Sequence, residues 1–192
     1  MSLHLTFSKM HGLGNDFVII DTVNQAWSEL TLSQRQFITD RQRGIGCDQL
    51  LLVESATQQN VDFKYRIFNA DGGEVSQCGN GARCFARFVF EQGLTTKTEV
   101  AVETASGIMT LTLKEDGKVV TVNMGEPRFT PADIPFEQDQ QADVYALGLD
   151  NGDEIALGAL SMGNPHAVSI VDNIEKVDVS TLGPMIEGHQ RF

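Results

Sequence analysis

Residues 68–84 read FNADGGEVSQCGNGARC. Cys78 is followed at once by Gly79-Asn80-Gly81 and then by the apolar run Ala82-Arg83-Cys84-Phe85-Ala86-Arg87-Phe88-Val89-Phe90. That pattern predicts a helix from about Asn80 to Gln92, with Gly93 as the residue just past its end. Arg83, Arg87 and Glu91 make a single polar stripe at i, i+4 and i+8. The rest of the circumference is apolar, so the helix has to be enclosed, and strands wrapped around it would do that. A thiol at the mouth of such a helix meets unpaired backbone N–H groups and the positive end of the dipole, which favour a thiolate. The glycines let backbone approach a ligand closely, and the N–H groups form a nest suited to a carboxylate. The same residues also fit a tight turn with an inert, packed cysteine. Local chemistry leaves both readings open.

Outward from this stretch the pattern is mostly strand. Val61, Phe63, Tyr65 and Ile67 alternate with Asp62, Lys64 and Arg66, and Leu3, Leu5 and Phe7 alternate near the N-terminus. Glu115-Asp116-Gly117 separates strand candidates 108–113 and 118–124, and Asn151-Gly152 separates 143–148 from 153–161. Both are hairpin signals. Thr31-Leu32-Ser33-Gln34 predicts a capping box opening a helix to about Arg41. A third helix is expected near Val179–Glu187, interrupted at Gly183-Pro184. The acidic, Gln-rich segment Glu137–Asp143 reads as a solvated loop or a disordered connection. The fold class expected is α+β. A boundary at Gly125-Glu126-Pro127 divides it into a first domain, 1–125, carrying Cys78, and a partial second domain, 126–192.

Bulk properties mainly exclude. The chain has 192 residues, 41% of them hydrophobic, and a formal net charge of −12. A nucleic-acid surface would need a basic face. No apolar run reaches membrane-spanning length and no signal architecture opens the chain, so no membrane partner is expected. Three cysteines, an odd number, make no disulfide framework and show no close metal-ligand pairing. A reducing cytoplasm is the expected compartment.

The stretch FNADGGEVSQCGNGARC resembles the first-cysteine motif of the diaminopimelate epimerases. Three further segments resemble the same family, in the same order: KMHGLGNDFVIID (Lys9–Asp21), RQRGIGCDQLLLVE (Arg41–Glu54) and MGNPHAV (Met162–Val168). Four long motifs in register are far more specific than one short pattern. The resemblance implies two similar domains, each a β-sheet wrapped around a central helix, with the second domain truncated here. It implies a cofactor-independent isomerase of lysine and peptidoglycan precursor biosynthesis. Such an enzyme interconverts LL- and meso-diaminopimelate without pyridoxal phosphate or metal, as a homodimer when full length. Inverting an α-carbon without a cofactor needs a base on one face and an acid on the other. By resemblance Cys78 is one of the two cysteines that do so, and His166 tunes the pair. Asn15, Gln49, Asn69, Gly79, Asn80 and Asn164 are the implied substrate ligands, since amides offer both donor and acceptor to a zwitterion.

Blander readings stand beside these. Asn beside Gly serves turns, and His166 fits a satisfied structural histidine. Cys84 lies six residues after Cys78, roughly 120° away on one helix, so the two cannot face each other across a carbon. Cys84 and Cys47 are read as structural. The second cysteine motif is therefore expected beyond Phe192, and the 192-residue chain is expected to be inactive alone. Two other functions are weighed: a Cys–His hydrolase using Cys78, His166 and Asn164, and a proline racemase-like isomerase, against which the FNADG and GNPH contexts argue.

Overall fold

The computed structural model describes residues 4–192. The chain forms two compact units, Met1–Met124 and Gly125–Phe192.

Unit 1 is one eight-stranded sheet around one helix. Its strands are β1 (Ser8–Gly12), β2 (Asn15–Asp21), β3 (Gln49–Ser55), β4 (Phe63–Asn69), the short β5 (Glu74–Val75), β6 (Glu99–Thr104), β7 (Gly107–Lys114) and β8 (Val119–Asn123). The spatial order is β1-β2-β3-β4-β6-β7-β8, with β5 paired to β4. Neighbours are antiparallel except β2–β3 and β4–β6, which are parallel. The helix α1 (Leu32–Thr39) lies between β2 and β3 in sequence, and α2 (Gly79–Glu91) between β5 and β6. Helix α2 touches β1, β2 and β3 as well as β7 and β8. Since β1 and β8 are the two ends of the strand order, the sheet curls around α2.

Side-chain alternation explains this core. Phe17 and Ile19 of β2, Leu51 and Val53 of β3, and Phe63, Tyr65 and Ile67 of β4 point inward to Ala82, Phe85, Ala86 and Val89 of α2. The intervening Val18, Ile20, Leu50, Leu52 and Phe68 form a second cluster on the outer face with Leu30 and Cys47, against which Trp27 and Ile38 pack. Strands buried on both faces read as continuous apolar runs, as FVII and LLLV do. Removing Phe85 wholly from water contributes about 1.5–3 kcal/mol by itself.

Several expectations are met. Thr31 closes the reciprocal capping box with Gln34. Gly93 sits just past α2 at φ 67°. The turn between β7 and β8 places Glu115, Asp116 and Gly117 all at positive φ. Others need correction. Leu3 lies outside the described residues, and Leu5 and Phe7 precede the first strand instead of forming one. Leu5 packs on the outer cluster.

Unit 2 is a three-stranded antiparallel sheet in the order β11-β10-β9, made of β9 (Tyr145–Gly148), β10 (Glu154–Ser161) and β11 (Pro165–Val168). Ile134, Phe136, Tyr145, Leu147, Leu149, Leu157 and Ala159 form its core. Asn151-Gly152 makes the β9–β10 turn, with Gly152 at φ 89°. The segment 137–143 is an irregular loop, mostly exposed. The third helix, α3 (Val179–Glu187), runs without interruption and contains Pro184. Proline at the sixth position of so short a helix removes only one hydrogen bond, and the Pro184 carbonyl still accepts from Gly188 N–H at 3.0 Å.

Candidate active site

One end of the unit 1 sheet gathers the polar residues. Asn15 opens β2, Gln49 opens β3 and Asn69 closes β4. Strand register brings them to one edge: Phe17 lies opposite Gln49, and Gln49 opposite Asn69. Gln49 Nε2 donates to Asn69 Oδ1 at 2.8 Å. From Asn69 the chain turns through 70–73, pairs briefly as β5, and arrives at Cys78, the N-cap of α2.

Cys78 is extended (φ −147°, ψ 119°), and its carbonyl accepts from Ala82 N–H at 2.8 Å, the first bond of the helix. The same carbonyl accepts from the Tyr65 hydroxyl at 3.3 Å. Its Sγ makes no capping bond to the helix and lies 3.7 Å from Asn15 Oδ1. Asn80 Nδ2 donates to that oxygen at 3.4 Å. Arg83, one turn along α2, donates to Asn80 Oδ1. Gly81 is required for close approach: a Cβ there would stand 2.7 Å from the Tyr65 hydroxyl.

The three thiols differ. Cys78 is half-buried, while Cys47 and Cys84 are buried. Burial pushes the Cys84 thiol up to about 11 and raises that of Cys47 as well. Cys84 packs in the α2 core and Cys47 in the outer cluster.

A charged cluster lies behind Asn15. Asp48 Oδ2 accepts from Asn15 Nδ2 at 3.1 Å and from Asp16 N–H at 3.0 Å. Arg41 bridges Asp16 and Asp48 at 2.7 and 2.8 Å, and Lys9 pairs with Asp16 at 2.7 Å. The Arg41 guanidinium, with smaller help from Lys9, holds the Asp16 carboxyl well below the usual carboxylate range. Sequence reasoning missed this cluster, although each member lies inside a quoted motif. Opposite charges in KMHGLGND and RQRGIGCD were the available signal.

The remaining two candidates belong to unit 2. Asn164 lies between β10 and β11, and His166 is on β11; both are exposed. His166 Nδ1 lies 2.9 Å from the Asn164 backbone carbonyl, so the ring is oriented by main chain and not by the Asn164 amide. Among the described residues, no group of three or more His, Cys, Asp or Glu is placed to hold a metal ion.

The curled sheet around a central helix recurs in solved structures of low sequence identity. A hydroxyproline epimerase from Agrobacterium vitis, solved with bound trans-4-OH-L-proline, superposes with a TM-score of 0.65 at 18% identity. The match covers 92% of this chain and 52% of that one, so the chain spans about half the length of that structure. At that identity the likeness is one of fold. The particular family follows from sequence. The diaminopimelate epimerase family model matches residues 7–130. Diaminopimelate epimerases of Aromatoleum aromaticum and Nitrosospira multiformis are 56% and 53% identical over 190 residues, covering 99% of this chain and 68% and 67% of theirs. The chain belongs to the diaminopimelate epimerase family, a family of isomerases.

Proposed function

We propose that the protein interconverts LL- and meso-diaminopimelate by a two-base mechanism in which Cys78 serves one face of the α-carbon. The observation that supports this best is the placement of Cys78. It is the accessible thiol of the three, at a helix entrance, beside the amides of Asn15 and Asn80. A sulfur there can take or give a proton, and the first N–H groups of α2 can receive a carboxylate. In this reading Asn15, Gln49, Asn69, Gly79, Asn80 and Asn164 bind the zwitterion. His166 assists the thiol chemistry. No cofactor or metal takes part. The enzyme works in the cytoplasm as a homodimer when full length and serves lysine and peptidoglycan precursor synthesis. Among the described residues no helix is long and apolar enough to cross a membrane.

Among the described residues Cys47 and Cys84 offer no second acid, because both are committed to packing. The test is epimerisation of LL-diaminopimelate in deuterated water, following stereochemistry and α-proton exchange after dialysis against chelator. The full-length enzyme should turn over without additions and lose turnover on Cys78→Ser. The 192-residue chain should not complete epimerisation. A requirement for metal or pyridoxal phosphate, or full turnover by the 192-residue chain, would overturn the two-cysteine assignment.

A further inference from the structure

The amide of Asn15 is not free to choose which end faces the sulfur. An ionised carboxylate only accepts hydrogen bonds. Asp48 therefore takes the Nδ2–H of Asn15, and the oxygen of the same amide is turned toward Cys78 Sγ, 3.7 Å away. Asp48 is itself fixed. Its Oδ2 also accepts from Asp16 N–H, its Oδ1 pairs with Arg41, and its own N–H donates to Asp16 Oδ1 at 2.8 Å. The Asp16 N–H and the Asn15 amide hold the Asp48 carboxyl below its ordinary range, so it stays ionised and acceptor-only. Asn80 reinforces the arrangement. Arg83 occupies its oxygen, leaving Nδ2 to donate to Asn15 Oδ1.

We propose that Asp48 is a positioning residue that locks the Asn15 amide with its oxygen toward Cys78. The sulfur then meets an acceptor, which accommodates S–H, and is denied the amide N–H that would stabilise S⁻. Cys78 is thus held ready to act as the acid of the pair until substrate rearranges the amides. This rests on the acid–base role proposed for Cys78, but its test uses no substrate.

Alkylate the protein with limiting iodoacetamide at one neutral pH and map adducts by mass, comparing wild type, Asp48→Ala, Asn15→Ala and the double variant. Asp48→Ala should speed labelling of Cys78 about fivefold, the scale of one net hydrogen bond, because the released amide can turn an N–H to the sulfur. In the double variant the acceleration should vanish, leaving the rate of Asn15→Ala. A structural role for Asp48 would give the same increment in both backgrounds, and that outcome, or no change in Asp48→Ala, overturns the proposal. Cys47 and Cys84 are buried and report on the fold. If they label in Asp48→Ala, Asp48→Ser replaces it, keeping a hydroxyl for Asp16 N–H, with the same acceleration expected and the same result fatal. An inactive enzyme with the acceleration intact would count against the proposed function and not against the lock.

Discussion

Helices α2 and α3 both carry apolar side chains, into different surroundings. Seven of the thirteen residues of α2 are buried, and none of the nine residues of α3 is. Helix α2 touches strands from both ends of the unit 1 sheet. In unit 2, Leu182, Met185 and Ile186 pack on the core, while Val179 stays 65% exposed. Ile170 and Ile174 nearby are 97% and 75% exposed. The difference shows what encloses a helix of this kind. An eight-stranded sheet closes around it, whereas three strands cover one side. The termini follow the same division. Helix α2 opens on Cys78 with no side-chain cap, leaving its entrance available, whereas the Asp178 carboxylate caps α3 by accepting from Thr181 N–H at 3.2 Å.

The sharpest way to break the comparison is Gly81→Ala. Its Cβ would meet the Tyr65 hydroxyl at 2.7 Å, Ile67 at 3.1 Å and Phe17 at 3.3 Å. Overpacking of this kind should cost about 1–3 kcal/mol and shift Tyr65 from the Cys78 carbonyl. Denaturant unfolding combined with hydrogen exchange of α2 amides would read it, and exchange in α3 should be unchanged.

Alkali should act next, and on unit 1. Cys84 is ordinary at 9.0 when unfolded and near 11 when folded, and burial raises Tyr65 in the same direction. Groups with raised folded values bind protons more tightly in the native state. Their stabilisation is present below the unfolded value and lost as pH rises through the folded one. Unit 1 should therefore weaken between about pH 9 and 11, detected by thermal melts across that window. A flat profile would contradict the buried assignment of Cys84.

Acid should act on α3. Hydrogen bonds from Ser180 and Thr181 lower Asp178 below its ordinary 3.8. The cap is present above that value and lost as pH falls through the lowered one. Exchange of the first-turn amides of α3 should rise under acid, and Asp178→Ala should show that rise already at neutral pH.

Gly183→Ala should be smallest. Its Cβ would come no nearer than 4.0 Å to Val179. The helix-propensity gain of about 1 kcal/mol is offset by the preference of a residue before proline for extended backbone, so the net should fall within about 0.5 kcal/mol of zero. A large loss would mean that α3 is as tightly enclosed as α2.

Much of this was legible in the chain. The apolar circumference of α2 announced its enclosure, and Gly93, the Thr31 box and both hairpin turns marked their elements because each depends on local chemistry. The motifs also pointed to Asn15, Gln49, Asn69, Cys78 and Asn80, which the fold gathers at one end of a sheet. Strand order was not legible. The pairing of β2 with β3, and of β4 with β6, joins segments distant in sequence, and periodicity carries no information about partners. Asp48 was hidden for a similar reason. Its bond to Asn15 spans 33 positions. The continuity of α3 through Pro184 escaped the expectation of a break because a proline at the sixth of nine positions deletes only one helical hydrogen bond.

The mixture of pairings in unit 1 also orders events in time. β1–β2 and β7–β8 are joined by tight turns and can zip locally, on the microsecond scale of hairpins, about 1–10 μs. The parallel β2–β3 pair must first close the long connection that contains α1, and β4–β6 the one that contains α2. Loop-closure entropy opposes both until the apolar faces meet. The residues of the candidate site straddle these late junctions. Asn15 belongs to an early hairpin, Gln49 arrives with the first parallel pairing, and Cys78 enters on the helix that the second one encloses. Nascent chains should therefore acquire hairpin structure well before their thiol acquires its neighbours.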